Sequence, residues 1–169
     1  TPLAEGKYSI SAEATDKAGN TGKTKESLEL NIDTTPPSDK DVTVNPIADT
    51  NDKTPAITGT TEAGTTVTVV VRDKDGNVVA TGPATVTDKT WTYTPSADLK
   101  DGDYTVTAEA KDKAGNTGTS KPVTFEVDTV APDVSINDLK DTNDTTPTVS
   151  GKTEPGAKVN VEIVDKDGK

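Results

Sequence analysis

The side chains able to do chemistry in this sequence are carboxylates. Twenty Asp and nine Glu face 18 Lys and Arg for a formal charge of -11, and the 169 residues contain neither Cys nor His. That removes the thiol nucleophile, the imidazole base, the Ser-His-Asp triad, zinc sites of the usual ligand types and any disulfide framework. The remaining ligands are hard oxygens, which suit Ca²⁺ or Mg²⁺. The negative balance argues against nucleic acids and anionic lipid, which are bound through Lys and Arg. The acids recur in short patterns. An Asp-Lys-Ala-Gly-Asn run starts at Asp16 and again at Asp112. Asp33-Thr-Thr-Pro-Pro returns as Asp128-Thr-Val-Ala-Pro, and Thr-Glu-x-Gly contains Glu62 and then Glu154. A fourth pattern carries Asp49, Asn51 and Asp52, repeated as Asp141, Asn143 and Asp144.

Positioning these loops requires a folded frame, and the composition is borderline for one. Apolar residues make up 29% and aromatics 3%, near the limit at which burial no longer offsets ordering entropy. Against disorder, 32 residues are Thr, and Val supplies much of the remainder, so β-branched side chains suited to pleated strands dominate. No apolar run approaches the roughly 18 residues of a membrane span, and Thr1-Pro-Leu-Ala-Glu5 lacks signal-peptide character. No membrane insertion is expected.

Self-similarity sets the organisation. Residues 6–22 return at 102–118 with 12 identities in 17 positions, and the patterns around Asn51 and Glu62 return 92 residues later. A period of 92 to 96 residues is one small domain. The chain then reads as the C-terminal part of one module (1–35), a complete module (36–130) and the N-terminal part of a third (131–169). Seven alternating segments predict strands near 41–45, 55–60, 65–72, 77–87, 90–94, 103–110 and 118–127, an all-β, seven-stranded sandwich. Alternation puts Val67, Val69 and Val71 on one buried face, with Trp91 and Tyr93, with Tyr104, Val106 and Ala108, and with Val123, Phe125 and Val127. Leu99-x-x-Gly102-x-Tyr104 and Leu3-x-x-Gly6-x-Tyr8 match a tyrosine corner, in which the phenol bonds nearby backbone. The two end pieces together fall about two strands short of a repeat. The expectation is a longer parent or strand pairing between chains.

In such a sandwich the loops after strands two, four and six share one pole. Glu62, Asp88 and the Asp112 turn therefore gather where the linker from Asp33 arrives, and Asp33, Glu62 and Asp112 are expected to ligate one Ca²⁺ between modules. Like charges so crowded need a cation. Asp128 and Glu154 repeat the arrangement at the next junction, and Asp16 repeats the Asp112 turn. At the opposite pole Asp49, Asn51 and Asp52, with Asp98 and Asp101 beside them, form a weaker candidate, because Asp and Asn before Thr-Pro are ordinary turn formers. Asp73-Lys-Asp75-Gly76-Asn77 is not an EF-hand loop, since Gly arrives at position four instead of six. It reads as a hairpin turn.

On the repeated Asp-Lys-Ala-Gly-Asn turn, the Asp33 to Pro37 linker, and Gly59-Thr-Thr-Glu62-Ala-Gly64 with Gly151-Lys-Thr-Glu154-Pro-Gly156, the chain resembles the bacterial Ig-like repeats of giant type I-secreted adhesins of Gram-negative bacteria, SiiE-like and Bap-like. The resemblance implies tandem immunoglobulin-like β-sandwich modules in a rod, stiffened by Ca²⁺ and secreted to the bacterial cell surface. Such modules hold a distal adhesive region away from the cell. Their partners would be neighbouring modules of the same chain, with a host-cell surface ligand engaged by other parts of the parent. Two other functional classes compete with this one. A module that itself binds host glycan or protein needs an exposed aromatic platform, and the aromatics fall on core faces. A two-carboxylate glycosidase needs a cleft, and no cleft-forming insertion is visible.

Overall fold

The computed structural model describes residues 2–168, and every regular element among them is a β-strand. The chain divides into two compact units, residues 1–128 and 129–169. In the first unit, β1 (Gly6–Ile10) pairs antiparallel with β4 (Leu28–Ile32), and β2 (Glu13–Thr15) with β3 (Thr21–Lys23). The remaining strands of this unit make a two-layer sandwich. One layer holds β5 (Thr43–Val44), β6 (Ile57–Thr60), β10 (Thr90–Tyr93) and β9 (Thr85–Thr87), adjacent in that order. In the other, β11 (Gly102–Lys111) lies between β7 (Thr66–Asp73) and the successive strands β12 (Thr117–Thr119) and β13 (Val123–Val127). β8 (Val78–Pro83) extends this layer beyond β7.

The alternating Val, Trp and Tyr positions all point inward. Val67, Val69, Val71, Trp91, Tyr93, Tyr104, Val106, Ala108, Phe125 and Val127 are buried, and Val123 is partly so. Trp91 is the largest of these side chains, and its indole Nε1 donates to the Thr60 carbonyl. The ring lies against Gly59, where an added Cβ would come within 2.4 Å of it. The tyrosine corners form as the spacing predicts: the Tyr104 hydroxyl donates to the Lys100 carbonyl and the Tyr8 hydroxyl to the Ala4 carbonyl. Tyr104 is buried, whereas Tyr8 is half-buried.

Two predicted strands are each broken in two. The 77–87 segment leaves its first sheet at Pro83, which has no N–H to continue a ladder, and re-forms as β9 against β10 in the other layer. The 118–127 segment breaks at Ser120-Lys121-Pro122, where the Ser120 hydroxyl accepts from the Ala108 N–H in place of a ladder carbonyl. Thr24 does the same for Ala12 in the first piece.

In residues 129–168 the strands are β14 (Ser135–Ile136) and β15 (Gly151–Lys152), paired with each other. The stretch 158–165, the repeat counterpart of β7, forms no strand. β7 is held on its two edges by β8 and β11, and nothing within residues 129–168 plays those parts.

Candidate functional site

The site is assembled from three loops, each shaped by its own acid. Asp112 closes the turn between β11 and β12: its Oδ1 accepts from the backbone N–H groups of Gly115 and Asn116, and Oδ2 accepts from Asn116 Nδ2. The Asn116 carboxamide beside Asp112 holds its carboxyl below the ordinary value of 3.8, with burial opposing. Asn116 Nδ2 also donates to the Asp33 carbonyl at 3.0 Å, so this turn grips the arriving linker. Asp33 shapes that linker, its Oδ1 accepting from the Thr35 N–H. Glu62, in the β6–β7 loop, reaches across with Oε1 to the Ser38 N–H at 3.4 Å. Pro37 is buried on Gly118, whose absent side chain leaves room: a Cβ there would stand 1.9 Å from the Pro37 carbonyl oxygen.

Asp33, Thr35, Glu62, Asp112 and Lys113 therefore line one cavity of about 320 Å³. Its acidic donors are oxygens of the hard kind that calcium takes, so the donor chemistry fits that ion. Among the described residues, however, no three acidic side chains stand close enough together to hold a metal by themselves. Lys113 brings a cation of the protein's own to the same cavity. Asp88 does not line it; it takes a left-handed conformation (φ 54°) in the turn between β9 and β10.

The other sequence candidates are placed as follows. Asp16 repeats the Asp112 turn, accepting from Ala18 N–H, Asn20 N–H and Asn20 Nδ2, and the Asn20 side chain likewise lowers its carboxyl. Asp73 makes the same structure with Asp75 and Asn77. The shared unit is Asp-x-x-Gly-Asn, a pattern present in the sequence at all three places, whereas sequence reasoning paired only two of them. Asp49 Oδ1 accepts from the Glu126 N–H within β13, and Asp52 Oδ1 accepts from the Thr54 N–H and hydroxyl. Asp144 treats Thr146 identically. The Asp52 loop lies beside the Asp98 loop, joined by the Leu99 N–H to the Lys53 carbonyl. Asn51, Asp141 and Asn143 are exposed loop residues. Asp128 closes the first unit, its N–H donating to the Thr50 carbonyl, and Glu154 lies in the second, its carbonyl accepting from the Ala157 N–H.

Comparison with known proteins shows what the chain is similar to. A family model described as a bacterial Ig-like domain matches residues 44–129, and a second, described as bacterial Ig-like domain (group 3), matches residues 1–59. No significant match is found among curated proteins. Similar solved structures include a tetra-tandem repeat in the extending region of a large adhesion protein, 25% identical with a TM-score of 0.48, covering 98% of this chain and 47% of that one. Another is the BSP domain of a biofilm-associated protein, 23% identical with a TM-score of 0.36, covering 76% of this chain and 20% of that one. The fibronectin(III)-like modules of Clostridium thermocellum CbhA are 15% identical with a TM-score of 0.38, covering 74% of this chain and 63% of that one. The chain spans about half the length of the first of these.

Proposed function

The chain belongs to the bacterial Ig-like domain family, and from that premise we propose that it is a structural spacer segment of a giant secreted bacterial adhesin, without catalysis of its own, its module junctions stiffened by calcium. The observation that carries this reading is the junction itself. A linker, a β6–β7 loop and a β11–β12 turn meet in one acid-lined cavity, joined by hydrogen bonds from Asn116 and to Glu62. The module boundaries near residues 35 and 130 and the bacterial cell-surface location belong to the same proposal. Neighbouring modules are the partners it names, with a host ligand engaged elsewhere in the parent.

Asp33, Glu62 and Asp112 would hold the ion, with backbone carbonyls completing the six to eight oxygens calcium takes. Bound calcium would neutralise charge and tie the loops together. The protein's own residues already do part of this work, since Asn116 and Glu62 fix the linker by hydrogen bonds. At about 1 mM Ca²⁺ and a dissociation constant of about 10⁻⁴ to 10⁻³ M, one site contributes about 0.4 to 1.4 kcal/mol. That is small against a module's stability and sufficient to bias a hinge. The aromatic side chains support a spacer over a sugar-stacking module, because Trp91, Tyr93, Tyr104 and Phe125 are buried in the core.

The test is calcium titration by calorimetry on the wild type and on Asp112→Ala, with small-angle scattering with and without chelator. Loss of a binding event in the variant and a chelator-dependent profile are expected. Unchanged binding in Asp112→Ala would overturn the site, and scattering indifferent to chelator would overturn the stiffening role.

A further inference from the structure

Asp-Lys opens four turns of this chain, at Asp16, Asp73, Asp112 and Asp165. In two of them the next residue is Asp and holds the lysine: Lys74 Nζ lies 2.8 Å from Asp75, and Lys166 Nζ 3.5 Å from Asp167. After Lys113 the next residue is Ala114, which offers no such partner. Lys113 instead reaches out of its own turn and lines the cavity of Asp33, Glu62 and Asp112. Its side chain comes to rest over Gly64 in the β6–β7 loop, where an added Cβ would stand 3.3 Å from Lys113 Cε and 3.7 Å from its Nζ. Gly64 holds φ at 82°, a conformation that favours glycine, so the loop presents bare backbone to the lysine.

We propose that Lys113 is a tethered counter-cation for this cavity, and that calcium binds there by exchange, the ammonium leaving as the ion enters. The inference rests on the reading of Asp33, Glu62 and Asp112 as calcium ligands. Three carboxylates and one ammonium line the cavity, so negative charge is in excess and draws a divalent ion. The ammonium already there repels that ion and has to give way to it. Two features make it displaceable. Among the described residues, Lys113 forms no ion pair with a single acid, so no close contact must break. The residue is also exposed, and a lysine head on its flexible stem can turn to water while the stem stays on the surface.

One charge then has two opposite effects. In chelator, Lys113 offsets repulsion among acids contributed by the linker, the β6–β7 loop and the β11–β12 turn, and so favours a docked linker. In calcium, it competes with the ion. A lysine that merely packed on Gly64 would show neither, because its methylenes alone would carry the contact.

The experiment compares Lys113→Met, which keeps a stem over Gly64 and removes the charge, with Lys111→Met. The latter removes the same charge on the other side of Asp112, from a lysine that does not line the cavity. In calorimetry Lys113→Met should bind calcium about 2- to 5-fold more tightly than wild type, the span measured for exposed charge pairs, and Lys111→Met should gain less than half as much. In chelator, hydrogen exchange at the Ser38 N–H should speed by a similar factor in Lys113→Met alone. In labelled wild type, the magnetic contact between the Gly64 α and Lys113 ε protons should be present in chelator and fade as calcium saturates. Where calcium binding is lost in Asp112→Ala, equal affinity in Lys113→Met and wild type, an equal gain in Lys111→Met, or a Gly64–Lys113 contact that persists at saturation overturns the exchange and leaves the site standing. Ser38 exchange unmoved in Lys113→Met overturns the counter-cation role. Calcium binding indifferent to Asp112→Ala overturns the site itself, and the exchange falls with it.

Discussion

Asn116 offers a way to separate linker docking from turn formation. Its Nδ2 makes two hydrogen bonds, to Asp112 Oδ2 at 2.9 Å and to the Asp33 carbonyl at 3.0 Å. Asn20 makes the first of these, to Asp16, in an equivalent turn. Asn116→Ala removes both bonds, whereas Asn20→Ala removes only the bond within its own turn. A neutral hydrogen bond contributes about 0.5 to 1.5 kcal/mol net, so loss of the Asp33 contact shifts the docked-to-undocked ratio by about 2- to 13-fold. The reporter is the Ser38 N–H, bonded across the junction to Glu62. In calcium-free buffer its hydrogen exchange should speed by that factor in Asn116→Ala and be unchanged in Asn20→Ala, while core amides such as Val69 keep their protection. Ser38 exchange unmoved in Asn116→Ala would show that this bond does not hold the linker, and equal acceleration in both variants would show that the effect is not local.

Trp91→Ala empties the centre of the sandwich and removes the bond to Thr60. A cost of about 3 to 5 kcal/mol lowers the module's melting temperature by more than about 12 °C in calorimetry, and a fall under about 4 °C would contradict the packing. Asp16, Asp73 and Asp112 are all lowered from 3.8, each chiefly by the Asn four residues on. A lowered carboxylate contributes its stability above the unfolded value and loses it as pH falls through the lower folded value. The Asn20, Asn77 and Asn116 amide shifts should therefore titrate with midpoints below 3.8, and midpoints at or above it would refute the turn geometry.

Much of the fold was legible along the chain, for local reasons. Period-two alternation placed Val67, Val69, Val71, Trp91 and Tyr93 in the core, because a strand has two faces and one of them must be covered. The Gly-x-Tyr spacing located both tyrosine corners, since the hydroxyl reaches backbone only four residues away. The gathering of Asp33, Glu62 and Asp112 at one pole followed from strand direction alone, and all three line one cavity. What the chain did not disclose depends on contacts distant in sequence. The break at Pro83 appears as an edge between layers only once β8 and β9 have different neighbours. Asn116, 83 residues from Asp33, donates to its carbonyl, and Pro37 packs on Gly118 two residues further on, pairings distant in sequence that composition does not mark. The stretch 158–165 has the alternation of β7 and yet forms no strand, because alternation specifies which face seeks burial while the ladder itself must come from neighbouring strands.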